Sequence, residues 1–133
     1  MKKLHYVLIT LVAIVVFIAV HVVPDVLADR RTRQHAIDLT GGDPDRGRDA
    51  IRNYGCASCH TIAGIRGANA LVGPPLSKIG QRMYVAGVIN NTPDNLVRWI
   101  QNPPAVDPLT AMPNLKVTDT DARDIAAFLY STR

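Results

Sequence analysis

Glutamate is absent from this chain, and cysteine and the aromatic residues are scarce. All 11 acidic residues are aspartates, two cysteines occur, and phenylalanine, tryptophan and tyrosine together make up 5% of the sequence. Two cysteines this close together cannot form the widely spaced disulfide framework of a small secreted domain. The aromatic residues are not interleaved with basic ones, which argues against a nucleic-acid-binding surface. No segment alternates between apolar and polar residues as a half-buried strand does.

The chain has 133 residues, enough for one small domain and a short additional element. The formal net charge is +4. A net positive charge of this size favours binding to an anionic membrane surface or to an acidic protein partner, or it only keeps the protein soluble. A domain of roughly 100 residues buries a modest core, and a bound group often adds to its stability.

Residues 1–28 differ in composition from the rest of the chain. Two lysines precede an apolar run over residues 6–23. A run of roughly 18 residues is long for a secretory signal and just long enough to cross a bilayer, so we expect residues 1–28 to be a membrane anchor. The alternative is a signal peptide cleaved at Ala28, with Pro24 breaking the helix before the cleavage site. Both alternatives place residues 29–133 on the outer side of the membrane.

The remainder is predicted to be an all-α domain with long loops over residues 43–133. Residues 29–42 are polar, rich in arginine and end in two glycines, so we expect a flexible tether there. The candidate capping residues Asp43, Thr92 and Thr118, together with prolines and apolar periodicity, predict the helices of the domain. These predicted helices cover residues 43–54, about 81–90, about 93–102 and the segment from 118 onward. Residues 103–114 are rich in proline and are predicted to form an irregular loop.

Cys56, Cys59 and His60 form a C-x-x-C-H motif directly after the first predicted helix of the domain. Two thiols at this spacing can each add to one vinyl group on the same porphyrin edge, and the histidine that follows can then reach the iron. The motif therefore predicts covalent attachment of a c-type haem with His60 as an iron ligand. The long loops agree with this interpretation, because such loops in a compact domain usually wrap a bound group.

The cysteine pair allows two other interpretations. A thiol redox site needs only C-x-x-C, but it usually occurs at the start of a helix in an α/β fold, and no strands are predicted here. A structural zinc site needs a full set of ligands, and only Cys56, Cys59 and His60 cluster in this sequence. Export favours the haem, because haem attachment of this kind occurs on the outer face of the bacterial membrane.

Residues 43–133 resemble the class I cytochromes c. Besides the C-x-x-C-H motif, several stretches carry the resemblance: Gly47 and Ile51 on the first helix, Gly73-Pro74-Pro75-Leu76, Ala111-Met112-Pro113, and Ile125 and Phe128 on the last helix. The resemblance implies a class I cytochrome c fold, with a few helices wrapped around one covalently bound haem c and an apolar helix added at the N-terminus. It also implies that the last helix crosses the first at Gly47.

The resemblance implies further residues of the haem site. The carbonyl of Pro74 would accept a hydrogen bond from His60, and Met112 would be the second axial ligand. Met83 is the alternative ligand, but it lies in a predicted helix, where methionines more often fill gaps in a core. Met112 lies in a proline-rich loop that gives the chain the length to return on the opposite face of the ring. Trp99 occupies a position where the family often has an aromatic residue near the haem propionates, and simple core packing explains it equally well.

A haem with histidine and methionine as axial ligands has no open position for a substrate, so we expect an electron carrier and not an enzyme. The expected donor is a quinol-oxidising complex or a dehydrogenase, and the expected acceptor is a terminal oxidase of a respiratory chain. The haem domain is expected on the periplasmic side of the bacterial inner membrane, or in the soluble periplasm after cleavage at Ala28. The alternative function is a fixed haem c subunit of a larger membrane oxidoreductase. A catalytic or gas-sensing haem would require an open sixth position.

Overall fold

The computed structural model describes residues 2–132, and Met1 and Arg133, the outer ends of the predicted segments 1–28 and 43–133, lie outside the described residues. The chain divides into two compact units, Met1–Arg31 and Thr32–Arg133. The first unit is helical throughout its described length. The second unit contains the C-x-x-C-H motif and the buried core.

The first helix, α1, covers Lys2–Phe17 and continues through a five-residue π-helical turn, Ile18–Val22, into a second helix, α2 (Val23–Thr40). The N–H of Val23 donates to the carbonyl of Ile18, which widens the helix by one residue. Pro24 follows directly. Because proline lacks an N–H and its ring collides with the carbonyl four residues earlier, a widened turn is a regular way to accommodate it. The signal-peptide alternative expected Pro24 to break the helix, and the structure shows a widened turn instead.

One helical run among the described residues, Lys3–Thr40, is long and apolar enough to cross a membrane, and its apolar window is exposed. A signal sequence near the N-terminus satisfies the same criteria of length and composition. The choice between anchor and signal peptide therefore stays a prediction.

Helix α2 covers Val23–Thr40, so most of the segment predicted to be a flexible tether is helical. Ala36 and Thr40 are buried. The polar composition that suggested a linker belongs instead to a helix whose side chains largely face solvent. One of them, Arg33, donates hydrogen bonds to the carboxylate of Asp45. The helix ends at Gly41, whose φ of +68° is the left-handed conformation that glycine adopts without strain. The structure thus differs from the sequence-based expectation for residues 29–40.

Among its described residues, the second unit contains four further α-helices and one hairpin. They are α3 (Pro44–Asn53), β1 (Tyr84–Val85), β2 (Ile89–Asn90), α4 (Pro93–Gln101), α5 (Pro103–Val106) and α6 (Asp119–Ser131). Asp43, Thr92 and Thr118 accept hydrogen bonds from backbone N–H groups in the first turns of α3, α4 and α6. These side chains satisfy donors that the helices themselves cannot, which confirms the capping signals read from the sequence.

The helix predicted over residues 81–90 does not form, and the expectation of no strands is wrong there. A one-turn 3₁₀ helix, Ile79–Gln81, leads into an antiparallel hairpin that pairs β1 with β2. Ala86 and Gly87 in its turn have positive φ values of 52° and 77°, which an α-helix cannot contain. Met83 therefore lies before β1 and is 80% exposed, so it is not a helical core residue. The loop predicted over residues 103–114 also begins with the short helix α5.

Helices α3 and α6 pack against each other at Gly47, as the resemblance implied. A Cβ atom on Gly47 would collide with the carbonyl of Asp124 and lie 3.0 Å from the backbone nitrogen of Ile125. Ile51 on α3 and Phe128 on α6 are buried in the same hydrophobic core. The absent side chain therefore lets the two helix backbones touch.

Gly47→Ala is expected to lower the free energy of unfolding by about 2–3 kcal/mol, because the new methyl group forces the two helices apart. Chemical unfolding of the full chain in detergent, followed by circular dichroism, measures this loss. Asn53→Ala, an exposed change on the same helix, is the control and should stay within about 0.5 kcal/mol of the unchanged protein. Equal losses in the two variants would contradict the close approach at Gly47.

Candidate functional site

Cys56, Cys59 and His60 lie on one tight turn after α3. Gly55, with a φ of +70°, ends the helix, and Cys56–Ser58 form a single 3₁₀ turn. The N–H groups of Cys59 and His60 both donate to the carbonyl of Cys56, at 3.2 and 3.1 Å. The two cysteines are half-buried and His60 is buried. The structure thus brings three of the predicted site residues together.

The ring of His60 is held in one orientation. Its Nδ1 lies 2.7 Å from the carbonyl oxygen of Pro74, which is the hydrogen bond implied by the resemblance. A carbonyl oxygen only accepts, so Nδ1 donates in this bond, and in the neutral imidazole the lone pair available to a metal ion is then on Nε2. Gly73 lies against the ring, since a Cβ atom there would come within 2.7 Å of Nδ1 and 3.0 Å of Nε2.

The loop that presents the Pro74 carbonyl is fixed on both sides. The N–H of Gly73 donates to the carbonyl of Cys59 at 2.7 Å. On the other side, Nη2 of Arg82 donates to the carbonyl of Pro75 at 2.6 Å. The sequence did not single out Arg82 for this role, because one arginine a few residues beyond a proline-rich stretch is not a distinctive signal.

Met112 comes from the loop between α5 and α6. Its side chain is half-buried and packs against the same hydrophobic core as Cys56. The loop is ordered locally, since the N–H of Met112 donates to the hydroxyl of Thr110 at 3.2 Å. Ligation by Met112 stays a prediction. Met83 was considered a less suitable ligand because it was expected to fill a gap in the core. The structure does not support that reason, since the Met83 side chain is exposed.

These residues fit a c-type haem. Two half-buried thiols can attach to its vinyl groups, and an oriented imidazole and a methionine thioether can ligate its iron. Large apolar side chains are also left in contact with water next to both segments of the site: Leu71 (86% exposed) and Val72 (82%) precede Gly73, and Leu109 (94%) precedes Met112. Exposed apolar side chains grouped in this way suit contact with a flat apolar ring.

Neither of the other interpretations of the cysteine pair finds support. A redox-active thiol needs a lowered pKa, whereas burial raises the pKa of the Cys56 thiol. Within residues 2–132, no group of three or more histidine, cysteine or acidic side chains is arranged to hold a metal ion.

Tyr54, just before the motif, ties this part of the chain to α6. Its hydroxyl donates to the carboxylate of Asp121 at 2.7 Å, and the hydroxyl of Thr118 donates to the same group at 2.8 Å. These two bonds, that of Tyr54 first, hold the pKa of Asp121 below its usual value. The contact therefore contributes to stability at neutral pH, and the contribution is lost as the pH falls through the lowered pKa of the folded state.

The chain is similar to proteins of known type. The family model for Cytochrome c matches residues 44–133. Over 90 residues the chain is 28% identical to Cytochrome c oxidase subunit 2 of Alkalihalophilus pseudofirmus, covering 67% of this chain and 25% of that protein. It is 32% identical over 62 residues to the protein of the same name from Bacillus sp. (strain PS3), covering 45% and 17%. It is 29% identical over 83 residues to that of Bacillus subtilis, covering 58% and 23%.

The chain thus spans a quarter or less of the length of these curated relatives. No solved structure matches it.

Gly73→Ala is expected to push the His60 ring away from the Pro74 carbonyl, because the added methyl group and the ring cannot occupy the same space. We expect the absorption bands of the haem-loaded protein to shift and the free energy of unfolding to fall by about 1–3 kcal/mol. Visible spectra and chemical unfolding of the full chain measure the two effects. Arg66→Ala, at an exposed position of the loop between His60 and Gly73, is the control. A Gly73→Ala protein with the spectrum and stability of the control would show that the ring does not need this glycine.

Proposed function

The chain belongs to the cytochrome c family, and from this membership we propose that it passes single electrons through one haem c held by Cys56, Cys59, His60 and Met112. Haem-based electron transfer is the function that the family indicates. The observation that carries the proposal for this chain is the orientation of His60, whose Nδ1 is bonded to the Pro74 carbonyl at 2.7 Å. In the neutral imidazole, that bond places the lone pair that would bind iron on Nε2.

Each residue has a distinct role in this proposal. The thiols of Cys56 and Cys59 would hold the haem covalently, each through one of its vinyl groups. His60 would ligate the iron, and its hydrogen bond to Pro74 fixes the ring plane of the imidazole. Met112 would be the second protein ligand and so would keep water and small ligands from the iron. When bound, the haem supplies an iron that alternates between the ferric and ferrous states, at a potential that methionine ligation raises.

We propose that residues within the apolar run 6–23 attach the protein to the bacterial inner membrane, with the haem domain on the periplasmic side. The donor is then a quinol-oxidising complex or a dehydrogenase, and the acceptor is a terminal oxidase of a respiratory chain. The names of the three relatives support an oxidase as the partner, since each is a cytochrome c oxidase subunit. The net charge of +4 suits an acidic docking face on that partner.

The names of the relatives also favour a second candidate function, a fixed haem c subunit of a larger oxidase or other membrane oxidoreductase. In that case the apolar helix would pack against other membrane helices. The two candidates share the same haem chemistry and differ only in whether the domain remains bound to one complex.

Met112→Ala is expected to erase the weak absorption band near the red end of the visible spectrum that marks sulfur–iron(III) ligation. It should also lower the reduction potential and let carbon monoxide bind to the reduced protein, because the sixth position opens. Met83→Ala is the matched control and should leave all three properties unchanged, since that side chain is exposed before β1. If the two variants behave the other way round, Met83 is the ligand and the assignment of Met112 is wrong.

Purification from native membranes in mild detergent, with the intact mass measured, tests the carrier against the subunit. For a carrier we expect one haem above the polypeptide mass, an N-terminus at or near Met1, and no partner in stoichiometric amount. A stoichiometric set of partner chains would establish the fixed subunit. A soluble product that begins at Asp29 would establish the signal peptide and exclude the anchor.

A further inference from the structure

Three hydrogen bonds hold the side chain of Asn91, which lies between the hairpin and α4. Its Nδ2 donates to the carbonyl of Ile79 at 2.6 Å and to that of Arg82 at 2.8 Å. Its Oδ1 accepts a hydrogen bond from the hydroxyl of Tyr130 at 2.7 Å. Both N–H groups of the amide are thus occupied, and its oxygen has a donor. Asn91 therefore joins the end of α6 to the segment that precedes the hairpin.

The partners of this side chain require an amide. The two carbonyl oxygens only accept hydrogen bonds, so they determine which end of the amide faces them. Burial raises the pKa of the Tyr130 hydroxyl, which therefore stays protonated at neutral pH and can donate. An aspartate of nearly the same shape would keep the acceptor for Tyr130 but would place a carboxylate oxygen against two carbonyls. The site therefore distinguishes asparagine from the acid that most resembles it.

The two bonds from Nδ2 fix the backbone from which the side chain of Arg82 extends. Arg82 follows a one-turn 3₁₀ helix, and its N–H donates to the carbonyl of Ile79 at 3.1 Å. Asn91 thus binds the carbonyl at the start of this turn and the carbonyl just beyond it. From this position Nη2 of Arg82 donates to the carbonyl of Pro75 at 2.6 Å and to that of Ser77 at 2.9 Å.

The peptide group held by Arg82 adjoins the one that accepts the hydrogen bond from the proposed axial histidine. Its carbonyl belongs to Pro75, and its N–H, from Leu76, donates to the carbonyl of Thr61 at 2.8 Å. The ring of Pro75 locks the φ angle between this peptide group and the preceding one, which carries the Pro74 carbonyl. Because peptide groups are planar, the ψ angle of Pro75 is the one soft dihedral between the two carbonyls. Holding one carbonyl therefore restricts the other.

We propose that Asn91 is a positioning residue for His60, acting through Arg82 on the loop that presents the Pro74 carbonyl. Without the amide, the backbone at Arg82 is held less firmly and its bond to Pro75 weakens. The bond between Nδ1 of His60 and Pro74 then opens more often. This inference rests on the proposed function, because it concerns the orientation of the residue that would ligate the iron.

The experiment measures how fast the Nδ1 proton of His60 exchanges with solvent, by nuclear magnetic resonance of the full haem-loaded chain in detergent micelles and in the reduced state. In Asn91→Asp we expect exchange faster by about tenfold or more, because the proton exchanges only while its bond to Pro74 is open. Asn91→Ser removes the amide without adding a charge and replaces the aspartate variant if that protein does not fold. Tyr130→Phe leaves both bonds from Nδ2 in place and should have a smaller effect.

Val97→Ala is the control for stability. It removes buried methyl groups from α4 and none of the hydrogen bonds described above. The exchange rates in Asn91→Asp and Val97→Ala are compared at denaturant concentrations that give the two proteins the same free energy of unfolding. A merely structural role for Asn91 predicts equal exchange rates under these conditions, and that result would overturn the proposal.

A double variant tests the route through Arg82. We expect Arg82→Gln to accelerate the exchange by itself, and the addition of Asn91→Asp to increase the rate by less than about twofold, because both changes act on the same contact. Effects that multiply in the double variant would show that Asn91 acts independently of Arg82, which contradicts the proposal.

Failure of the proposed function would be seen separately in the unchanged, reduced chain. If His60 does not ligate the haem, its ring protons will lack the large ring-current shift of an axial ligand. The comparison of exchange rates would still hold, because the bond from Nδ1 to the Pro74 carbonyl does not require the iron.

Discussion

Helices α3 and α6 approach so closely at Gly47 that a side chain there would occupy the place of the Asp124 carbonyl. The contact is electrostatic as well as steric. The Asp124 side chain is 2% exposed, and a buried carboxylate is costly unless its oxygens are bonded. Arg46 satisfies both oxygens, at 2.7 and 2.9 Å, and the N–H of Asp43 adds a third bond at 2.6 Å. One aspartate on α6 thus holds the first turn of α3 in position and orientation.

This crossing positions the C-x-x-C-H turn at the other end of α3. The helix is short and ends at Gly55, so once its first turn is fixed the direction in which it delivers Cys56 is fixed as well. Tyr54 adds a second connection to α6 through Asp121. From there the N–H of Gly73 bonds to Cys59 and its bare Cα leaves room for the His60 ring. The imidazole is therefore oriented by a series of contacts that begins at the helix crossing.

Local chemistry explains which parts could be predicted from the sequence. The caps Asp43, Thr92 and Thr118 and the C-x-x-C-H turn depend on neighbouring residues only, and the structure has them where the sequence placed them. The crossing at Gly47 and the bond to Pro74 required the family resemblance, because both join residues distant in the chain. The hairpin over 84–90 was missed because short strands leave no periodicity, and its positive-φ Ala86 is not a glycine.

The segment 29–40 shows a different limit of sequence reasoning, and it bears on how the domain works. Its polar composition is compatible with a flexible tether and with a helix that buries one small side chain. Nothing in the sequence marks Ala36 as that buried side chain. A domain that shuttles between partners needs slack in the chain that holds it, whereas a fixed subunit gains from a docked segment that limits motion. The structure has the second arrangement over residues 32–40, where Ala36 and Thr40 are buried and Arg33 donates hydrogen bonds to Asp45.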